Sequence, residues 1–138
     1  MLSINSKSRY GLLATLSLAE HYGQGLLQIK DISTQRNIPL QYLGQIFNLL
    51  VKADIIKSTR GKHGGYKLSR SPSIITAREI LEVLEGEIAL VDKENETDDA
   101  IHELLSLAES QLREVFNVSL ADLLLREQEK KHILMFEI

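Results

Sequence analysis

The sequence predicts a mainly helical fold in which three short helices precede a small β-hairpin and further helices. Apolar side chains recur at helical spacing through residues 6–53. Two short segments, Ile55–Thr59 and Tyr66–Ser69, then flank a glycine-rich turn, as the strands of a hairpin do. Three helices followed by a hairpin is the order of elements in a winged helix-turn-helix domain, which we place at residues 1–86.

The three predicted helices are bounded by residues that commonly begin or end helices. The first covers Ser6–Tyr22 and is followed by Gly23, which readily adopts the positive φ found at helix ends. The second covers Ile29–Arg36. The third begins near Pro39, whose missing N–H would be unpaired in a first turn anyway, and runs to about Ala53. Its expected core residues are Leu43, Ile46, Phe47 and Leu50.

The second half of the chain is predicted to be helical as well. Thr76–Glu79 has the Ser/Thr-x-x-Glu pattern of a capping box and should open a fourth helix that ends at Gly86. Residues 87–97 are acidic and are interpreted as a linker. We interpret residues 98–138 as a helical dimerisation and effector region that ends in an apolar tail.

Composition excludes several classes of protein. The chain has 138 residues, 43% of them hydrophobic and 25% charged, which is typical of a globular protein. Its apolar runs are too short to cross a bilayer, and its first residues lack the apolar stretch of a secretory signal. The chain has no cysteine, which excludes disulfides and thiolate chemistry. We expect a cytoplasmic protein that does not bind membranes.

Charge is distributed very unevenly between the two halves of the chain. Residues 1–70 hold ten Lys or Arg and three Asp or Glu, whereas residues 71–138 hold six and sixteen. A basic half is the electrostatic footprint expected of a surface that faces a polyanion such as double-stranded DNA. The acidic half would face solvent or a partner protein.

Polar side chains mark the third helix as the candidate for reading bases. Gln41, Gln45 and Asn48 should project from it, and their amides can pair with adenine in the major groove. Tyr42 would add a phosphate hydrogen bond or an apolar contact. A solvated helix face without a binding function would carry the same residues. These positions therefore indicate base reading only in combination with the hairpin.

The hairpin tip is the more specific signal for DNA binding. Arg60 and Gly61 could enter a narrow minor groove, because glycine permits close approach and arginine is attracted by the negative potential there. Lys57, Lys62 and Lys67 would neutralise the flanking phosphates, and His63 is a further candidate DNA contact at the tip. The alternative is a surface turn that needs glycine for its backbone and charge for solubility.

The start of the first helix is a further candidate. Ser6, Lys7, Arg9 and Tyr10 offer hydroxyls and cations where free backbone N–H groups readily bind phosphate. An N-cap with solvated charges would look the same in the sequence.

Four motifs together resemble the Rrf-type family of bacterial winged-helix transcriptional regulators. They are Asn5–Gly11, Tyr42–Phe47, Arg60–Tyr66 and Ile75–Ile80, so the likeness covers nearly the whole chain. The Arg-Gly-x-x-Gly-Gly-Tyr segment is the most specific of them.

The resemblance implies a fold, a function and several residue roles. It implies that Tyr42 and Gln45 lie on the recognition helix and that Arg60 with Gly61 enters the minor groove. Members of the family often carry Glu at the position of Gly44, so their base preference is not carried over to this chain. The short, cysteine-free form is closer to the branch that controls cysteine metabolism, which suggests a repressor of sulfur or cysteine genes, with iron-related genes as a second option.

No cofactor is expected. The iron–sulfur branch of the family binds its cluster through three cysteines after the fourth helix, where this chain has none. His102 falls near the histidine ligand of that branch, but one imidazole without thiolates cannot hold such a cluster. The four histidines lie on different predicted elements without the spacing of metal ligands, and the acidic run Asp92–Asp99 lacks the glycine and final Glu of a calcium loop. We therefore predict neither a metal site nor an enzyme.

An apolar stripe in the second half predicts a homodimer. A helix of this length must bury its apolar face, and two-fold pairing would place two recognition helices about one DNA turn apart on a near-palindromic operator. The stripe comprises Ile101, Leu104, Leu105, Ala108, Leu112, Val115 and Phe116. Packing of the helix against its own domain is the other possibility.

A protein-interaction module is the competing hypothesis for function. In that case the acidic second half, with its apolar tail, would dock an enzyme or another regulator, and the helix-turn-helix would not bind DNA. A protein effector could also act on a DNA-binding regulator, so the two hypotheses are compatible.

Overall fold

The computed structural model describes residues 2–95 and 97–137 and has the predicted mainly helical architecture. Six α-helices, one 3₁₀ turn and one two-stranded antiparallel sheet follow each other along the chain. The elements are α1 Ser6–Glu20, α2 Ile29–Arg36, α3 Leu40–Lys52, β1 Ile56–Thr59, β2 Gly65–Leu68, α4 Ala77–Glu85, the 3₁₀ turn Lys93–Asn95, α5 Ala100–Phe116 and α6 Leu120–Glu137.

The turn between α2 and α3 fixes the helix-turn-helix. Asn37 ends α2 in the left-handed region, with φ 54°, which Asn tolerates better than most residues. The Ser33 hydroxyl donates to the Ile38 carbonyl at 2.6 Å and closes the turn. Pro39 occupies the N-cap position of α3 instead of its first turn. All four predicted core residues of α3 are buried, so the opposite side of the helix is left for solvent or a partner.

The hairpin is tied to the helices by a third extended segment. In β1 and β2, Ile56 pairs with Leu68 and both are buried. The Leu27 and Tyr66 backbones exchange two hydrogen bonds of 2.9 Å, and the Tyr66 ring lies 4.7 Å from that of Phe47 in α3. A Cβ at Gly65 would lie 2.8 Å from the Leu27 carbonyl oxygen, so only glycine fits this approach. The base of the hairpin is therefore fixed against α3.

Only half of the predicted capping box at α4 is formed. The Thr76 hydroxyl accepts from the Glu79 N–H at 3.1 Å, as predicted. The Glu79 carboxylate forms an ion pair with Arg70 instead of reaching back to the Thr76 N–H. Gly86 ends α4 with φ 97°, in agreement with the sequence analysis.

The two C-terminal helices are packed very differently. Leu120, the first residue of α6, is fully buried in the core, and α6 packs along α1. By contrast, none of the 17 residues of α5, all within the described part of the chain, is buried. The predicted stripe on α5 is exposed at Ile101, Leu104, Leu105, Leu112 and Val115 and half-buried at Ala108 and Phe116.

Two side chains of α5 hold the acidic linker. The Glu109 carboxylate accepts from the Leu90 N–H at 2.8 Å, and this hydrogen bond keeps the pKa of Glu109 below its usual value. Arg113 donates to the Ile88 carbonyl through two nitrogens, at 2.9 and 2.7 Å. These contacts set the position of α5 relative to α4 without burying the apolar stripe.

Candidate nucleic-acid interface

The exposed side of α3 carries the side chains predicted to read bases. Gln41, Tyr42, Gln45 and Asn48 are all exposed, while Leu43, Ile46 and Phe47 between them are buried in the core. Because the helix is anchored by buried residues along its other side, these side chains are presented from a rigid support. Amides held in this way can donate to and accept from base edges.

The cations of the first half are mostly left without acidic partners. Of the ten Lys and Arg in residues 1–70, only Arg36 and Arg70 form ion pairs among the described residues. The others are Lys7, Arg9, Lys30, Lys52, Lys57, Arg60, Lys62 and Lys67. In the second half, by contrast, Arg78, Lys93, Arg113 and Lys131 are paired with carboxylates. Positive charge is thus uncompensated in the half of the chain that is predicted to face a polyanion.

The tip of the hairpin is a tight loop built by glycine. Arg60, Gly61, Lys62 and His63 are exposed, as is Lys57 on β1. Gly61 has φ 112°, which side-chain-bearing residues rarely adopt, and its carbonyl accepts from the Gly64 N–H at 3.0 Å. The loop therefore presents arginine and lysine on a narrow support.

We expect Gly64→Ala to distort this loop and weaken DNA binding. A Cβ at Gly64 would lie 2.1 Å from the Thr59 carbonyl oxygen, and because both groups are backbone the loop must open. Opening should displace Arg60 and lower duplex affinity about fivefold for each half-site, which corresponds to ~1 kcal/mol, the low end of the range for losing a specific arginine contact. Fluorescence anisotropy with a labelled duplex measures the affinity. The thermal midpoint should change little because the loop is exposed, and an unchanged affinity would contradict this description of the tip.

The start of α1 is arranged differently from a free anion site. Its N-cap is Asn5, whose side chain accepts from the Ser8 N–H at 2.9 Å. The Glu85 carboxylate, at the end of α4, accepts from the Asn5 N–H at 3.0 Å and from the buried Ser8 hydroxyl at 2.8 Å. A carboxylate therefore already lies at this helix end. Ser6 and Arg9 remain exposed on the outer side, with Lys7 half-buried.

An aromatic contact joins the start of α1 to the start of α3. The Tyr10 and Tyr42 ring centroids are 5.9 Å apart with a tilt of 36° between the planes. Two of the predicted DNA-binding elements therefore lie side by side, and the hairpin is held to α3 through Tyr66 and Phe47. The candidates from α1, α3 and the hairpin consequently belong to one rigid unit.

Three features of the structure were not predicted from the sequence. The Ser8–Glu85 contact joins residues 77 apart, and nothing in the sequence pairs them. Leu40, at the first position of α3, is 51% exposed although leucine at this position suggests burial. Leu107 on α5 is exposed as well, beside the predicted stripe.

The side chains of this sequence do not provide the thiolate ligands of an iron–sulfur cluster. The chain has no cysteine. His102 lies in the first turn of α5, where its backbone N–H donates to the Asp99 carboxylate at 2.8 Å. Among residues 2–95 and 97–137, no three His, Asp or Glu side chains are grouped so as to hold a metal ion. Within the same residues, no helix combines the length and apolar character needed to cross a membrane.

The chain resembles known regulators over its whole length. The HTH-type transcriptional regulator CymR of Bacillus subtilis strain 168 is 35% identical over 138 residues, which cover 99% of this chain and all of the relative. The IscR regulator of Aliivibrio salmonicida is 34% identical over 87 residues, 63% of this chain but only 52% of that protein.

A solved structure and a family model agree with these relatives. The structure of CymR, described as the global cysteine regulator of B. subtilis, superposes with a TM-score of 0.82 and 38% identity over 90% of this chain and 97% of that one. The model of the Rrf2 family, described as iron-dependent transcriptional regulators, matches residues 4–126. These relatives are named as regulators and not as enzymes, and the predicted resemblance is confirmed: the chain belongs to the Rrf2 family of transcriptional regulators.

Proposed function

We propose that this protein is a sequence-specific regulator that binds double-stranded DNA as a homodimer in the cytoplasm. The observation that carries the proposal is the unpaired positive charge of the first half. Eight of its ten cations lack an acidic partner in the described chain, on the same domain as the exposed amides of α3. A folded protein that leaves so many cations uncompensated is suited to a polyanionic partner.

The arrangement of α3 and the hairpin supports contact with two grooves. An α-helix fits the major groove, where Gln and Asn amides can distinguish adenine from other bases. The hairpin tip carries Arg60 on a loop narrowed by glycine, which suits the narrow minor groove of A·T-rich DNA. Lys57 and Lys62 would neutralise phosphates beside it. In this proposal α3 and Arg60 supply specificity and the lysines supply affinity.

The exposed stripe of α5 supports the homodimer. Leu104 and Val115 are 61% and 68% exposed, and a stripe of this kind along a whole helix is the usual mark of an interface. Pairing of two α5 helices about a two-fold axis buries the stripe in both copies at once. The operator should then be near-palindromic, with its half-sites about one helical turn of DNA apart.

The likeness to CymR supports a repressor of sulfur or cysteine genes. The B. subtilis CymR sequence matches this chain over all of its own length, and the CymR structure is 38% identical to this chain, against 32% for the structure of T. potens IscR. The lack of cysteine supports control without a cluster, by a small molecule or a protein effector. Iron-related genes, suggested by the family description, are the second option.

Arg60→Ala is the variant that tests the proposal on DNA. Duplexes bound by the purified protein are selected from a random pool, and the affinity of the variant for the best of them is measured. We expect a loss of about 1–3 kcal/mol for each half-site and a weaker preference for A·T-rich flanks. Lys130→Ala is the matched control, because it removes the same charge as Arg60→Ala. Lys130 is an exposed residue of α6 that forms no ion pair among the described residues. Equal affinities of the two variants would show that the hairpin does not read DNA.

A protein-interaction module makes the opposite prediction. It would select no duplex from the pool and would bind DNA weakly at every salt concentration. The exposed apolar residues of α6, among them Leu125, Ile133 and Leu134, are where such a partner would dock.

A further inference from the structure

The recognition helix begins with a leucine that is not used in the core. Leu40 is the first residue of α3 and is half exposed, beside the polar side chains of Gln41 and Gln45. Leu43, Ile46 and Phe47, which follow it, are fully buried. An isolated exposed leucine is ordinary on a protein surface, but this one lies on the face that we propose meets base edges.

An open space lies one turn after this leucine. Gly44 is four residues further on, so it lies on the same edge of the helix as Leu40. Apart from its chain neighbours and the backbone of its own helix, a Cβ at Gly44 would meet no atom of the described residues within 4 Å, and the φ of Gly44 is not in the positive region that demands glycine. Neither the fold nor the backbone therefore requires glycine here. In the middle of a helix glycine is a poor choice for stability, which suggests that the missing side chain has another use.

The remaining exposed side chains of α3 suit A·T base pairs. Gln41, Gln45 and Asn48 carry amides, which pair with the N6 and N7 atoms of adenine. Residues 40–51 include no Arg or Lys, the side chains that bind guanine through two hydrogen bonds, and Lys52 is the last residue of the helix. In the major groove, an A·T pair offers one feature that amides do not read, the C5 methyl of thymine.

We propose that Leu40 and the space over Gly44 form an apolar subsite that receives the C5 methyl group of a thymine in the major groove. Leucine supplies the apolar wall, and the absent side chain of Gly44 gives room for the base edge to approach the helix. The neighbouring amides bind adenine, so α3 as a whole reads A·T pairs. This inference rests on the proposed DNA-binding function and specifies its substrate.

Replacing thymine by deoxyuridine tests the subsite, because this change removes only the methyl group. In the best duplex from the pool, each thymine is replaced in turn in both half-sites. We expect one position at which the wild-type protein loses about fourfold in affinity per half-site, which corresponds to the ~0.8 kcal/mol for one buried methylene-sized group. Leu40→Ala should bind the thymine and deoxyuridine duplexes equally. The control Leu125→Ala, an exposed leucine of α6, should keep the wild-type difference.

Gly44→Ala gives a second, independent measurement. Its thermal midpoint should rise because alanine favours the helix, while its affinity for the thymine duplex falls because the methyl occupies the approach to the base. Equal sensitivity of wild type and Leu40→Ala to deoxyuridine, or no sensitive position at all, would overturn the subsite while leaving DNA binding intact. If no duplex is bound, the proposed function itself fails.

Discussion

Leu104→Glu is expected to convert the protein into a monomer and to lower its affinity for a two-half-site operator by about 10²–10⁴-fold. Leu104 is a 61% exposed residue of the apolar stripe of α5, and Leu104→Glu would place a charge in an apolar interface on both copies. The loss is expected because the dimer joins two DNA-binding domains. Once the first domain is bound, binding of the second is intramolecular, so the dimer binds far more tightly than a monomer. Sedimentation velocity measures the oligomeric state, and anisotropy measures the affinity.

Ser110→Glu is the matched control for this variant. Ser110 lies on the opposite side of the same helix and is exposed, so the added charge is equal and the helix is unchanged. The control should remain dimeric and bind the operator like the wild type. A dimeric Leu104→Glu protein, or a monomeric wild type at micromolar concentration with and without DNA, would show that α5 is not the interface.

Glu127→Ala should have the largest effect on stability. Its carboxylate accepts from Arg36 Nη1 at 2.8 Å, and the Arg36 side chain is only 11% exposed. Arg36 Nε donates to the Ser17 hydroxyl at 2.7 Å, and Nη2 has no hydrogen-bond partner among the described residues. Removing Glu127 leaves a nearly buried cation without a counter-charge. We expect a loss of about 3 kcal/mol, the low end of the range for a broken buried pair, because 20% of the Glu127 side chain is exposed. Urea unfolding followed by circular dichroism measures it.

Two further variants separate this ion pair from other effects. Lys131 is the other ion-pair partner of Glu127, and its side chain is 65% exposed. Lys131→Ala should therefore lower the free energy of unfolding by less than about 1 kcal/mol. The double variant Arg36→Met/Glu127→Leu replaces both charges by apolar groups and should recover most of the lost stability. If Glu127→Ala unfolds at the wild-type urea concentration, α6 is not held to α1 and α2 through this pair.

Local patterns predicted much of the fold from sequence. The bounds of α2 agree to the residue, because Asn37 and Pro39 mark its end and the start of the next helix. The buried and exposed sides of α3 also agree, since helical periodicity separates Leu43, Ile46, Phe47 and Leu50 from the amides. The first helix ends two residues earlier than predicted, as Tyr22 lies in the following turn.

Contacts between distant residues could not be predicted. The Arg36–Glu127 pair joins residues 91 apart, and the single bridge between Leu27 and Tyr66 is too short to leave an alternating pattern. For the same reason, the contact of the Glu85 carboxylate with the start of α1 could not be predicted. At Glu79, local and tertiary partners compete for one carboxylate, and the Arg70 cation is preferred over a backbone N–H because the interaction is charge-assisted on both sides.

The salt dependence of duplex binding tests the central claim most directly. That claim is that the unpaired cations of the first half meet DNA phosphates. If six to ten phosphates are contacted, the affinity of the wild-type protein for its selected duplex should fall about 10³–10⁵-fold between 50 and 200 mM salt. Weak binding that does not change over this range would contradict the account.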